Sequence, residues 1–154
     1  MVHVKAIPDE YPQVIPYLAV DGAAAAIEFY KRVFGATERT RMPGPDGKVG
    51  HAELDIGRSV VMLSDMMADM GAATPAAPGG TAITLMVYVE AVDEVFKRAL
   101  DVGATAEGTV EDQFYGDRSG QFTDPFGYKW MVASHVEDVS PDEMEKRAAA
   151  AMSG

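Results

Sequence analysis

The chain has 154 residues, 47% hydrophobic and 24% charged, enough for one good core or two small packed modules. A formal net charge of −11 repels phosphate backbones and anionic bilayers, which argues against nucleic acid and membrane surfaces as partners; no stretch approaches the roughly 20 apolar residues of a membrane helix. With no cysteine there is no disulfide framework, thiolate metal site or cysteine nucleophile, and an opening MVHVKAIPDEYPQ without a charged-then-apolar run sets the expected location as the cytoplasm.

Residues 1 to 12 show no periodicity, which places His3 on a solvated arm or a short edge strand. Val14 to Val20 then reads as a strand, with Asp21 as the candidate N-cap of a helix. Ala23, Ala26, Ile27, Tyr30, Val33 and Phe34 recur at helical spacing, and Gly35 supplies the stop. Strands are expected at about 36–42 and 48–56 around the turn Pro43-Gly44-Pro45-Asp46-Gly47, and a tight turn at Gly57-Arg58 leads into Ser59 to Leu63. This half, about 13–64, reads β-α-β-β-β.

Residues 65 to 81 are rich in Ala, Gly and Pro and read as a connector. Its cluster of Met66, Met67 and Met70 suits either a docked loop or a cover over an apolar cleft. A second half, about 82–135, begins with a strand from Ala82 to Val89. A helix follows with an apolar stripe at Val92, Val95, Phe96, Ala99 and Leu100, ending at Gly103. The order strand, acid, helix, Gly-Ala-Thr thus occurs twice: Val20 to Val89 is 69 positions and Gly35 to Gly103 is 68, which indicates an internal duplication. Strands are expected at about 105–111, 119–123 and 128–134, the last two joined by the turn Asp124-Pro125-Phe126-Gly127. Ser140-Pro141-Asp142-Glu143 combines an N-cap serine, a proline at the first helical position and a capping-box glutamate, predicting a terminal helix over about 141–150 whose Ala-rich end either frays or packs on a partner subunit.

Strand alternation divides these side chains between two faces, and the single helix of each half covers one. Leu18 and Val20, then Ala52, Leu54 and Ile56, then Ile83, Leu85, Val87 and Val89, and finally Tyr128, Trp130 and Val132 suit the helix side. The other side collects Ile15, Tyr17, His51, Glu53, Asp55, Thr84, Met86, Tyr88, Lys129, Met131, Ala133 and His135. Such a mixture of aromatics and methionines with a few polar groups suits a small-molecule site, or else packing against another sheet.

The opening Val-Asp-Gly…Ile-Glu-Phe-Tyr…Phe-Gly-Ala at 20 to 36, His-Ala-Glu-Leu at 51 to 54 and Asp-Pro-Phe-Gly-Tyr-Lys-Trp at 124 to 130 resemble the vicinal oxygen chelate superfamily of glyoxalase I, bleomycin-resistance proteins and extradiol dioxygenases. Within it the chain is similar to the PhnB-like subgroup over roughly residues 12 to 145. The resemblance implies an α+β fold of two βαβββ modules forming a curved mixed sheet around a cleft, plus a C-terminal helix. It also implies four metal-ligand positions, which fall on Ile15, Glu53, Thr84 and Met131. Only Glu53 is a hard ligand, so the usual metal quartet is not expected.

The expected function is small-molecule binding by a homodimer without a cofactor. Tyr17, Met62, Thr84, Met86, Tyr88, Lys129 and Met131 are the expected ligand contacts, with His51 and Glu53 orienting the ligand. The alternative is a lyase, isomerase or dioxygenase in which His51 and Glu53, two apart on one strand face, act as a general-base pair or as an atypical divalent-metal site. A structural hydrogen-bonded pair is the competing reading of the same two residues. His135 is expected to make a structural hydrogen bond or to be exposed, Arg118 to pair with an internal acid, and Trp130 to lie in the core.

Overall fold

A computed structural model of the protein describes residues 4–66 and 82–153; His3, Met67, Met70 and nearly all of the expected connector lie outside them. The chain divides into two compact units, one within residues 1–74 and one within 75–154.

The first unit runs β1 (Tyr17–Val20), α1 (Ala23–Phe34), β2 (Thr37–Pro43), β3 (Val49–Ile56) and β4 (Ser59–Asp65), with strand order β1-β4-β3-β2. β1 lies parallel to β4, and the other pairs are antiparallel. Ala23, Ala26, Ile27, Tyr30 and Val33 are buried on α1, against a sheet face that contributes the buried Leu18, Val20, Ala52, Leu54 and Leu63. The helix ends where the Gly35 N–H bonds the Lys31 carbonyl in a left-handed turn.

The first strand starts at Tyr17 rather than Val14, which is 87% exposed, because Pro16 has no N–H to offer a ladder and only its carbonyl joins, accepting from Met62 N at 2.9 Å. Asp21 does not cap α1. Gly22 takes the cap position, and the first free N–H groups, of Gly22 and Ala23, donate to Asp65 Oδ1 at the end of β4 at 3.0 and 2.8 Å. Asp65 Oδ2 also accepts from Val49 N at 2.7 Å, so one carboxylate joins the start of α1, the start of β3 and the end of β4. Burial pushes the Asp65 carboxyl up, but the N–H groups of Val49, Ala23 and Gly22 outweigh it and hold it below the ordinary range.

The second unit repeats the plan with β5 (Thr84–Tyr88), α2 (Val92–Asp101), β6 (Thr105–Asp112), β7 (Asp117–Thr123) and β8 (Lys129–His135), in the order β5-β8-β7-β6, with β5 parallel to β8. α3 (Pro141–Met152) closes the chain. The fold is therefore α+β, two βαβββ modules each with a four-stranded mixed sheet, plus a C-terminal helix. Ile83, expected on the helix side, is 69% exposed because the strand begins one residue later.

The β7–β8 hairpin is organised by Asp124. Its Oδ1 accepts from Phe126 N and Tyr128 N at 2.9 and 3.0 Å, its Oδ2 accepts from the buried Trp130 indole N–H at 2.9 Å, and Gly127 takes the left-handed position at φ 96°. Trp130 belongs to the core, alongside Phe122 and Val132. α3 opens as the capping motif requires, with Glu143 N donating to Ser140 Oγ at 3.2 Å. Arg147 then ties it down, bonding Glu137, Glu143 and the Phe114 carbonyl.

Candidate functional site

Each sheet has one face covered by its helix and one open face, and the residues expected to contact a ligand fall on the open faces. On the first sheet, Tyr17 pairs with Met62 and Met62 pairs with Glu53, which puts the three side by side across β1, β4 and β3. His51 is the next open-face residue on β3 and pairs with Met42 of β2. Tyr17 and Met42 are 47% and 54% exposed, whereas Glu53 is 7% exposed.

These residues are joined by a chain of short hydrogen bonds. Tyr11 donates its hydroxyl to Glu53 Oε1 at 2.6 Å, His51 Nε2 lies 2.8 Å from Glu53 Oε2, and the Tyr17 hydroxyl lies 2.8 Å from His51 Nδ1. His51 foremost, then Tyr11, holds the Glu53 carboxyl below its ordinary range, while the bond to Glu53 pushes the Tyr11 hydroxyl up. An ionised carboxylate only accepts, so His51 carries its proton on Nε2; in the neutral ring Nδ1 is then the acceptor and the Tyr17 O–H the donor.

Tyr11 and Arg39 are further members of this site. The Arg39 guanidinium sits 4.9 Å from the Tyr11 ring centroid, donates to Asp55 at 2.9 Å and also bonds the Glu10 carbonyl. The arm at residues 10 and 11 is thereby fastened over the open face. A tyrosine in a stretch without periodicity carries no local signal of a partner 42 positions away.

On the second sheet, Thr84, Met86 and Tyr88 are exposed, and Lys129 and Met131 are half-buried opposite Thr84 and Met86. A different polar chain lies here. Tyr88 donates to Asp117 Oδ2 at 2.8 Å, and His135 lies between Asp117 at 2.9 Å and Asp138 at 2.7 Å. His135 thus makes hydrogen bonds with both ring nitrogens, and the Asp117 bond first, then the Asp138 bond, raises its pKa. The Arg118 guanidinium pairs with Asp93 of α2 and Asp112 of β6. An open cavity of about 330 Å³ along β6 and β7 is lined by Glu107, Glu111, Gln113, Ser119 and Gln121 among others, and none of the expected contact residues forms its walls.

The four positions at which the resemblance implies metal ligands hold an alkyl side chain (Ile15), a hydroxyl (Thr84), a thioether (Met131) and Glu53, whose two carboxylate oxygens are already engaged. Among the described residues no three His, Asp or Glu side chains gather where they could hold an ion. This donor set does not fit a tightly held divalent cation.

Comparison with known proteins places these features. Residues 6–132 match the model of the Glyoxalase/Bleomycin resistance protein/Dioxygenase superfamily. An uncharacterized protein of Mycobacterium bovis is 46% identical over 137 residues, covering 87% of this chain and 90% of that protein. Among solved structures, TioX from Micromonospora sp. ML1 is 28% identical with a TM-score of 0.64, covering 81% of this chain and 99% of TioX. A PhnB protein from Bacillus cereus shares the fold at 18% identity, with a TM-score of 0.63 over 80% of this chain and 99% of its own.

Proposed function

The chain belongs to the Glyoxalase/Bleomycin resistance protein/Dioxygenase superfamily, and from that premise we propose that it binds a small, partly aromatic molecule on the open face of its first sheet, without the metal quartet. The observation that carries this reading is the hydrogen-bonded set Tyr11, Glu53, His51 and Tyr17, flanked by the apolar side chains of Met62 and Met42. Ordered polar groups inside an adaptable apolar surface are what orient a small ligand. On the open face of the second sheet, taken by itself, Thr84, Met86, Lys129 and Met131 are proposed as ligand contacts. Tyr88 offers its ring, since its hydroxyl is committed to Asp117. The working form proposed is a cytoplasmic homodimer.

The test is a thermal-shift screen of metabolites on chelator-treated protein. A compound present at about 100 times its Kd stabilises the fold by about 2.7 kcal/mol, a clear rise in Tm. Loss of every such rise on chelation, together with one tightly bound divalent ion per chain as purified, contradicts a metal-free site.

A second reading, an isomerase or lyase using His51 as general base, is favoured by the Glu53–His51 hydrogen bond, which orients the ring as a carboxylate orients a catalytic histidine. It requires that His51→Gln abolish turnover while leaving Tm nearly unchanged.

A further inference from the structure

We propose that Tyr17, His51 and Glu53 act as one proton acceptor, with the Tyr17 oxygen as the contact, for a ligand bearing an acidic aromatic or enolic hydroxyl. This rests on the first sheet's open face being the ligand site, and it names the chemical class of the ligand.

Glu53 is 7% exposed and both its oxygens are engaged, by Tyr11 and His51. It therefore orients the imidazole and stabilises positive charge on it. In the neutral ring with its proton on Nε2, His51 Nδ1 accepts from Tyr17, whose only hydroxyl hydrogen is thereby turned inward. What Tyr17, 47% exposed, presents to solvent is a phenolic oxygen with lone pairs, which suits a hydrogen-bond donor on the ligand.

If that donor is an acidic O–H, its proton passes to the Tyr17 oxygen while the Tyr17 proton passes to His51 Nδ1. The ligand becomes an oxyanion that keeps a hydrogen bond from Tyr17, and His51 becomes an imidazolium beside the Glu53 carboxylate. One O–H bond breaks on the ligand, one N–H bond forms on His51, and nothing is oxidised or reduced. The other charged or titratable groups facing the trio are Tyr11 on the arm, Arg39 on β2 and Asp55 on β3; the β4 neighbour, Met62, is uncharged.

The duplication supplies a control. Registered through Met86, Met131 and Gln121, the second sheet carries Met86, Met131, Gln121 and Ser119 where the first carries Tyr17, Met62, Glu53 and His51. The same strand arrangement is thus built with no ionisable group in these places. The fold does not demand the trio, and the exposed Tyr17 oxygen is the end of it that a ligand can reach. His135 cannot play the same part, because both its ring nitrogens face carboxylates.

The probe is 4-nitrophenol, whose visible absorbance separates phenol from phenolate, in buffer below the probe's own ionisation midpoint. The expected result is saturable phenolate formation on wild-type protein, reduced about tenfold or more in Tyr17→Phe and in His51→Gln. 4-Nitroanisole, which lacks the hydroxyl proton, should give no phenolate-like absorbance change on wild-type protein. Circular dichroism melting checks that both variants are folded, and ring ¹⁵N shifts of His51 in the wild type should show the Nε2–H tautomer. Failure of 4-nitrophenol to bind, binding as the neutral phenol, phenolate formation unchanged in Tyr17→Phe, or the opposite His51 tautomer each overturns the relay. If screened metabolites still perturb the Met62 methyl group while the phenol does not ionise, the ligand site stands and the relay alone falls; if nothing perturbs Met62, both fall.

Discussion

Glu53 and Asp117 are buried acids on the open faces of the two sheets, and each is hydrogen-bonded to a tyrosine and a histidine. Their surroundings separate them. His135 has carboxylates at both ring nitrogens, so its protonated form is favoured and its pKa lies above the ordinary 6.5. Because the folded state binds that proton more tightly, the stabilisation is complete below the unfolded imidazole value and is lost as pH rises through the raised folded one. The Asp117 carboxyl, held down mainly by His135, contributes above its ordinary 3.8 and loses that contribution as pH falls through its depressed folded value. The Tm difference between wild type and His135→Gln is therefore expected to be largest between about pH 4 and pH 6.5 and to shrink on either side. A difference independent of pH would refute the pairing. His51 and Glu53 were legible as an i, i+2 pair on one strand face, and alternation set Tyr17 on the same side; Met62 was legible as an apolar contact, and its place between Tyr17 and Glu53 comes from the strand register. Tyr11, Asp117 and Asp138 were not legible, because a hydrogen bond to a distant residue leaves no periodic trace.

At the scale of elements, strands and helices follow from alternation and the 3.6-residue period, and the turn at Asp124 to Gly127 follows from its residue types. What escaped local reading is how the elements are joined. Asp21, directly before the helix, has the ordinary look of a cap, yet Asp65, 43 positions after Gly22, performs that task and closes the sheet as well. Removing it leaves three backbone N–H groups without their acceptor in a largely buried place, so Asp65→Ala is expected to cost about 2–4 kcal/mol in chemical denaturation. Asp21→Ala should cost less than about 0.5 kcal/mol, as an exposed residue without a capping bond. Equal losses would contradict this division. Gly116 is another junction hidden from the sequence: at φ 101° its carbonyl accepts from Val136 and Glu137, and a side chain there would meet the Glu137 backbone.

For the whole molecule, the repeated spacing of 69 and 68 residues was enough to reveal the duplication, and both units have the same strand order and the same parallel closing pair. The chemistry is not duplicated in place, since Met86, Ser119 and Gln121 stand in the second sheet where Tyr17, His51 and Glu53 stand in the first. A proposed homodimer predicts a light-scattering mass of twice the 16.5 kDa chain, and a mass of one chain excludes it. The central claim, ligand binding at the first sheet's open face without metal, is most directly tested by methyl NMR. With ¹³C-methyl labels on the ten methionines, a ligand found by thermal shift is titrated into chelator-treated protein. The expected result is that the Met62 and Met42 methyl groups show the largest shifts, in the presence of chelator, with attenuation in Tyr17→Phe. Unmoved Met62 and Met42 signals at saturating ligand would contradict it.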